Sequence, residues 1–249
     1  MSAEKLTVNA VDPDGTSLYR VGGIAAILLG LAYIITIPVY VQAGPSPSGG
    51  EARLQYLVGK TTEWWIILAL SVLTDFLFVP VALALYLALK GLNRNAMLLA
   101  TALVGLFVVL DLAVTWPNYA SLITLSGNYA AATNDAQRAA YVAAAHYPSA
   151  VLTSSLEGVY SILVLSCGIL LTGVVMLKGF FGKSTAYVGV VTGILGIVAV
   201  VGPFFVSTLS VIIVITSLLL NDFDPPADVR NAFYQSFTFE SQKNGVDAG

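Results

Sequence analysis

The sequence predicts an all-α fold, a polytopic bundle of transmembrane helices, and three observations lead there. Hydrophobic residues make up 57% of the 249 and charged residues 10%, with a mean hydropathy of +0.84, a balance outside the range of water-soluble globules. The apolar residues fall in runs of about 20, the length that crosses about 30 Å of hydrocarbon. The runs are divided by polar or Pro/Gly-rich segments, and none shows the alternation of a half-buried strand.

Taken in order, residues 1–20 form a polar N-terminal tail with the turn signal Asp12-Pro13-Asp14-Gly15. The first span is expected over 21–41, with Gly22, Ala26 and Gly30 as a small-residue stripe for close helix contact. A tail that is acidic rather than basic, and a run longer than a signal peptide's, favour a retained helix over a cleaved leader. Gly44-Pro45-Ser46-Pro47-Ser48-Gly49-Gly50 opens a loop, with a short interfacial helix before residue 63 as an option.

The second span, 64–89, starts at the paired indoles Trp64 and Trp65 and contains Asp75 and Pro80. A tight polar turn at 90–95 leads into the third, 96–116, which carries Asp111 and closes at Trp116-Pro117. Residues 118–147 are too polar to span, and their alanine-rich part suits a helix on the surface or one extending the next span. The fourth span is expected over 149–177. A basic turn at 178–184 precedes the fifth, 185–201, in which Gly189 and Gly193 offer a GxxxG contact face. Gly202-Pro203 is read as a break, with a sixth span over 203–220 and an acidic, disordered tail over 221–249. The transmembrane domain is thus 21–220.

Basic residues orient this bundle. Two each lie in the N-terminal tail, the 90–95 turn, the 178–184 turn and the C-terminal tail, whereas the other side holds Arg53, Lys60 and Arg138. The bias predicts a multi-pass protein of the cell membrane with both termini cytoplasmic.

Within the spans the residues that stand out are acids. Ser149, Thr153, Glu157 and Ser161 recur every fourth position and would share one face of a continuous helix. Counted from the outer helix ends at 1.5 Å per residue, Asp111 lies about 8 Å deep, Glu157 about 13 Å and Asp75 about 17 Å. No Lys or Arg falls inside a span to pair with them, and a carboxylate at membrane depth costs several kcal/mol unless it is protonated, hydrogen-bonded or wetted.

Two functional classes are open. In one, Asp75, Asp111, Glu157, Thr153, Tyr160 and Ser161 line an outward-opening cavity that binds or permeates a proton, a small cation or an amine. In the other the acids are interhelical fasteners of a structural subunit, and the glycine faces dock a membrane-protein partner or further copies. A lipid-acting enzyme ranks below both, because the chain has neither an HExxH, a GxSxG, a Walker A loop nor a dinucleotide fingerprint. One histidine, His146, and one cysteine, Cys167, supply no His-rich or thiolate metal set, and no cofactor is expected. The net charge of -3 leaves no basic footprint for nucleic acid.

Leu85-Tyr86-Leu87-Ala88-Leu89-Lys90-Gly91-Leu92-Asn93-Arg94-Asn95-Ala96-Met97-Leu98-Leu99-Ala100 resembles the second-to-third helix junction of a prokaryotic six-helix membrane-protein family known only as a domain of unknown function. Tyr19 to Ala25 resembles the start of that family's first helix, and Gly173 to Gly196 its fourth-to-fifth junction. The resemblance covers about 19–220, implies six helices and supplies no site residues. The ending departs from the family pattern, in which a longer last helix leads into a short basic tail.

Overall fold

A backbone that satisfies its own N–H and C=O groups is a condition of any apolar chain of this kind, and helices meet it locally. A computed structural model describes residues 16–179 and 181–219, with side chains up to residue 202. Among these residues all regular structure is helical. Four helices are long and apolar enough to cross a membrane: Ser17–Ala43, Thr61–Ala131, Ser155–Met176 and Lys183–Gly202. The C-terminal tail expected over 221–249 and residues 1–15 lie outside the described part; residues 16–20, expected in the N-terminal tail, already belong to the first helix.

Helix α1 (Thr16–Ala43) lies against α3 along a narrow seam. Its least exposed positions are Gly22, Ala25, Leu29, Ala32, Thr36, Val39 and Ala43, alternating three and four residues apart, the spacing that keeps one stripe facing a partner. The expected stripe of Gly22, Ala26 and Gly30 is therefore corrected: Gly22 abuts Pro80 and Ala84 with no room for a Cβ, but Ala26 is exposed and Gly30 meets nothing. Gly44, at φ +73°, ends the helix in the left-handed region, its N–H bonding Tyr40 O at 3.0 Å. Lys60 Nζ and Tyr56 OH donate to Ala43 O, each at 2.8 Å, and satisfy a carbonyl that the helix end leaves free.

Helix α3 (Thr61–Leu110) is folded back on itself at Asn93, where φ -156° and ψ 92° interrupt the helix. Asn93 Oδ1 accepts the Ala96 N–H at 3.0 Å and caps the second limb. The limbs run antiparallel, with Phe78 edge-on to Phe107 at 5.8 Å. They correspond to the second and third expected spans. Beyond a π-helical turn, Asp111–Thr115, the second limb continues as α4 (Trp116–Ala131).

The expected fourth span does not exist as one helix. Helix α5 (Asp135–Thr153) stops at Ser154, whose ψ of 146° breaks the repeat. A new start at α6 (Ser155–Glu157) passes through a second π-helical turn, Gly158–Leu163, into α7 (Val164–Met176). Residues 149–153 thus belong to a cap rather than to an apolar span. That cap comprises α2 (Gly50–Leu57), α4 and α5, closed over Leu54, Leu57, Trp64, Leu122, Ile123 and Leu152. Gly50 lets α2 approach α5 closely, since a Cβ there would stand 3.1 Å from His146 N and Val142 O.

Helix α8 (Lys183–Leu219) packs on α7. Gly189 and Gly193 do form the contact face, meeting Gly173 and Leu170. The break expected at Gly202-Pro203 is absent: α8 runs 37 residues without interruption, about 55 Å by helix rise. The separate spans expected over 185–201 and 203–220 are corrected to one helix as far as Leu219, where the described residues end.

Candidate functional site

Asp75 and Asp111 each stand eighteen residues from Asn93, on opposite limbs of the hairpin. Helix rise puts both about 27 Å from the fold, at one level just beneath the cap, so the unequal depths counted from the outer ends do not hold. Asp75 is 3% exposed and its Oδ2 accepts the Trp116 Nε1–H at 2.6 Å. Asp111, 5% exposed, opens the π turn. Such a turn inserts one residue into the helical repeat and rotates the residues beyond it. The first of these is Trp116, its indole beside both carboxyls.

Glu157 arrives by a different local device. Ser154 Oγ accepts the Glu157 N–H at 3.3 Å, the serine half of a capping box spelled Ser154-Ser155-Leu156-Glu157. Glu157 is therefore in the first turn of the apolar helix, about 3 Å from its start at Ser155 rather than 13 Å deep. Ser161 Oγ donates to the Glu157 carbonyl at 2.6 Å and to its Oε1 at 3.1 Å. The four-residue ladder fails at Ser154: Thr153 Oγ1 donates to Ser149 O at 2.8 Å within α5, and neither residue shares a helix face with Glu157 and Ser161.

The three acids nonetheless come together. Asp111 is the common electrostatic neighbour, within reach of Asp75 on one side and Glu157 on the other. Tyr160, 8% exposed, neighbours both Glu157 and Asp111, with Thr115 beside it. Tyr33 and Tyr40 approach Asp111 from α1. Asp111 Oδ1, Thr115 Oγ1 and Tyr160 OH are buried side by side, the Thr115 hydroxyl facing both of the others, and none of the three reaches full hydrogen-bond geometry. Of the six sequence candidates, Asp75, Asp111, Glu157, Tyr160 and Ser161 belong to this cluster and Thr153 does not.

Sequence reasoning missed Trp116 and Arg53. Trp116 had the look of an interface anchor, as did Trp64 and Trp65. Only Trp65 is exposed; Trp64 is buried at 3%, stacked on Tyr119 with ring centroids 5.1 Å apart. Arg53, placed in a loop, is also only 3% exposed. Its Nε donates to Ser46 Oγ at 3.0 Å and Pro47 O at 3.1 Å, and its Nη1 is buried without a partner. Burial pushes the guanidinium below its ordinary range, opposed by Tyr119, Glu157 and Tyr56. The signal for this was the serine and proline-rich loop six and seven residues upstream, whose oxygens cradle the side chain.

An open cleft of about 500 Å³ on the cap is lined in part by Glu51, Asp135, Arg138 and His146. Among the described residues no group of three or more His, Cys, Asp or Glu side chains is arranged to hold a metal ion. Neither a family model, a curated protein nor a solved structure matches the chain.

Proposed function

We propose that this chain is an integral protein of the cell membrane that binds a proton or a small cation at Asp75 and Asp111, with Glu157 alongside. The observation that carries this reading is the set of buried oxygens without hydrogen bonds, Asp111 Oδ1, Thr115 Oγ1 and Tyr160 OH, beside a second carboxyl. Unpartnered oxygens cost about 1–3 kcal/mol each when buried, and two neighbouring carboxyls away from water are most cheaply neutralised by a proton or a cation.

Orientation follows from charge. Arg20, Lys90, Arg94, Lys178 and Lys183 lie toward the hairpin end and Arg53, Lys60 and Arg138 at the capped end, which supports a cytoplasmic hairpin and an outward-facing cap. The hairpin at Asn93 also supports grouping the chain with the six-helix family through the 85–100 junction.

A structural subunit is the second reading, favoured by the Trp116–Asp75 hydrogen bond that ties one limb of the hairpin to the helix continuing the other. Carboxyl infrared absorption of the protein in lipid nanodiscs separates the two. On the binding reading, Asp111→Asn removes a neutral-carboxyl band that responds to pH or to sodium while leaving the helical circular-dichroism signal intact. If that band is indifferent to the substitution and only thermal stability changes, the acids are fasteners.

A further inference from the structure

The bundle treats polar atoms differently on the two sides of the acid pair. Among the described residues, buried polar side-chain atoms that lack a full hydrogen bond lie beside Asp111, at Thr115 and Tyr160, or nearer the cap, at Thr36, Arg53, Trp64 and Ser149; Thr101 is the exception toward the hairpin. Thr36 belongs with the cap because α1 runs antiparallel to the first limb, with Gly22 against Pro80 and Ala84 and with Tyr40 edge-on to Trp64 at 5.8 Å. Toward the hairpin, the first residues beyond the acids on the same helix faces are aromatic. Phe78 stands three residues from Asp75 and Phe107 four from Asp111, each about one turn nearer Asn93. Their rings meet edge-on with centroids 5.8 Å apart, and Phe107 is 5% exposed.

Behind the rings two neighbouring helices close in. Gly22 of α1 lies on Pro80 and Ala84, and Gly168 of α7 lies where a Cβ would stand 3.1 Å from Val104 Cγ2 and 3.2 Å from Ala100 O. A contact too tight for one more methyl group is too tight for a water molecule, and an apolar lining would not hold one. From there to the fold the buried side chains Val104, Ala100, Met97 and Leu89 are all apolar.

We infer that Phe78 and Phe107 are the floor of the cation site, sealing Asp75 and Asp111 from the hairpin side so that the proton or cation enters and leaves from the capped side alone. An apolar constriction stops ions because it offers nothing to replace their hydration, whereas the polar atoms on the cap side do offer it. The site then loads and unloads through one face and does not conduct. This inference rests on the proposed binding function.

The test uses the full chain in sealed liposomes, carrying Ala140→Cys on the exposed face of α5 in a Cys167→Ala background. A membrane-impermeant thiol reagent counts the molecules whose cap faces outward. The external pH is then stepped, and the Asp111-dependent carboxyl infrared band is read before the lumen equilibrates. In the parent the responding share of the band is expected to equal the share of outward-facing caps. Phe78→Ala combined with Phe107→Ala is expected to extend the response to the whole band, about a twofold rise in a randomly oriented population, because the constriction is gone. A parental band that responds in full, or a double variant that stays at the parental share, overturns the proposal. Should the double variant not fold, Phe78→Ser, which puts a hydroxyl in place of the half-buried ring, is read in the same way. A parent with no Asp111-dependent band in nanodiscs, where both faces see the same pH, fails the binding reading and this inference with it; a band that is present but answers to both faces fails this inference alone.

Discussion

The two ends of the bundle are built from the same apolar alphabet and held together by opposite means. At the hairpin end Leu89, Met97, Val175, Met176 and Ala186 close a core of aliphatic, methionine and alanine side chains, and farther along the α7–α8 seam Gly173, Gly189 and Gly193 bring backbones into contact. At the capped end the contacts are aromatic and polar: Trp64 on Tyr119, Trp116 on Asp75, Tyr56 and Lys60 on the end of α1. Helices in an apolar medium gain little from hiding apolar side chains from one another, so close packing of small residues has to hold the first end. The second end can use stronger, directional bonds, and those bonds leave acceptors over. Where polar groups exceed the partners available, a binding site becomes possible.

The largest effect should come from the glycine end. A Cβ on Gly193 would stand 2.6 Å from Leu170 Cβ and 2.7 Å from its backbone N, so Gly193→Leu forces α7 and α8 apart. A loss of about 3 kcal/mol or more is expected in reversible unfolding from mixed micelles, at the upper end of overpacking penalties. A loss below about 1 kcal/mol would show that the α7–α8 contact is not what holds this end.

Next comes Trp116→Phe, which removes the donor to Asp75 and leaves a buried acceptor bare. About 1–3 kcal/mol should be lost, and the Asp111-dependent carboxyl band should shift with it. A stability loss with no spectral change would mean that the indole ties helices together and takes no part in setting the acid pair. The smallest effect is expected of Ser154→Ala, about 1 kcal/mol for a lost N-cap, read as faster amide exchange confined to the first turn after residue 154. Exchange spreading into α5 would show that the break is cooperative with the cap rather than local.

Some of this was written plainly in the residues. The turn at Asn93 was legible because Lys90 to Asn95 is polar between two apolar runs, and the asparagine that caps the second limb is a favoured N-cap type. The acids were legible because a carboxylate in an apolar run is rare. The break at Ser154 was legible too, in Ser154-Ser155-Leu156-Glu157, but the four-residue recurrence from Ser149 to Ser161 spoke for a continuous helix and masked it. Pro203 misled in the other direction, as a proline is tolerated where neighbouring groups re-satisfy the backbone. The π turns at 111–115 and 158–163 had no sequence mark at all.

The sequence by itself determined which segments are apolar, where two of the turns fall and that three carboxyls lie among them, because hydropathy and turn chemistry belong to residues wherever their helices point. Tertiary structure decided the rest. Which face of α1 meets α3, which indole turns inward, and whether Arg53 ends in solvent or buried in the cap all depend on the rotation of one helix against another. That rotation is chosen by packing between segments distant in the chain, as when the fold at Asn93 brings Asp75 level with Asp111 and a π turn swings Trp116 between them.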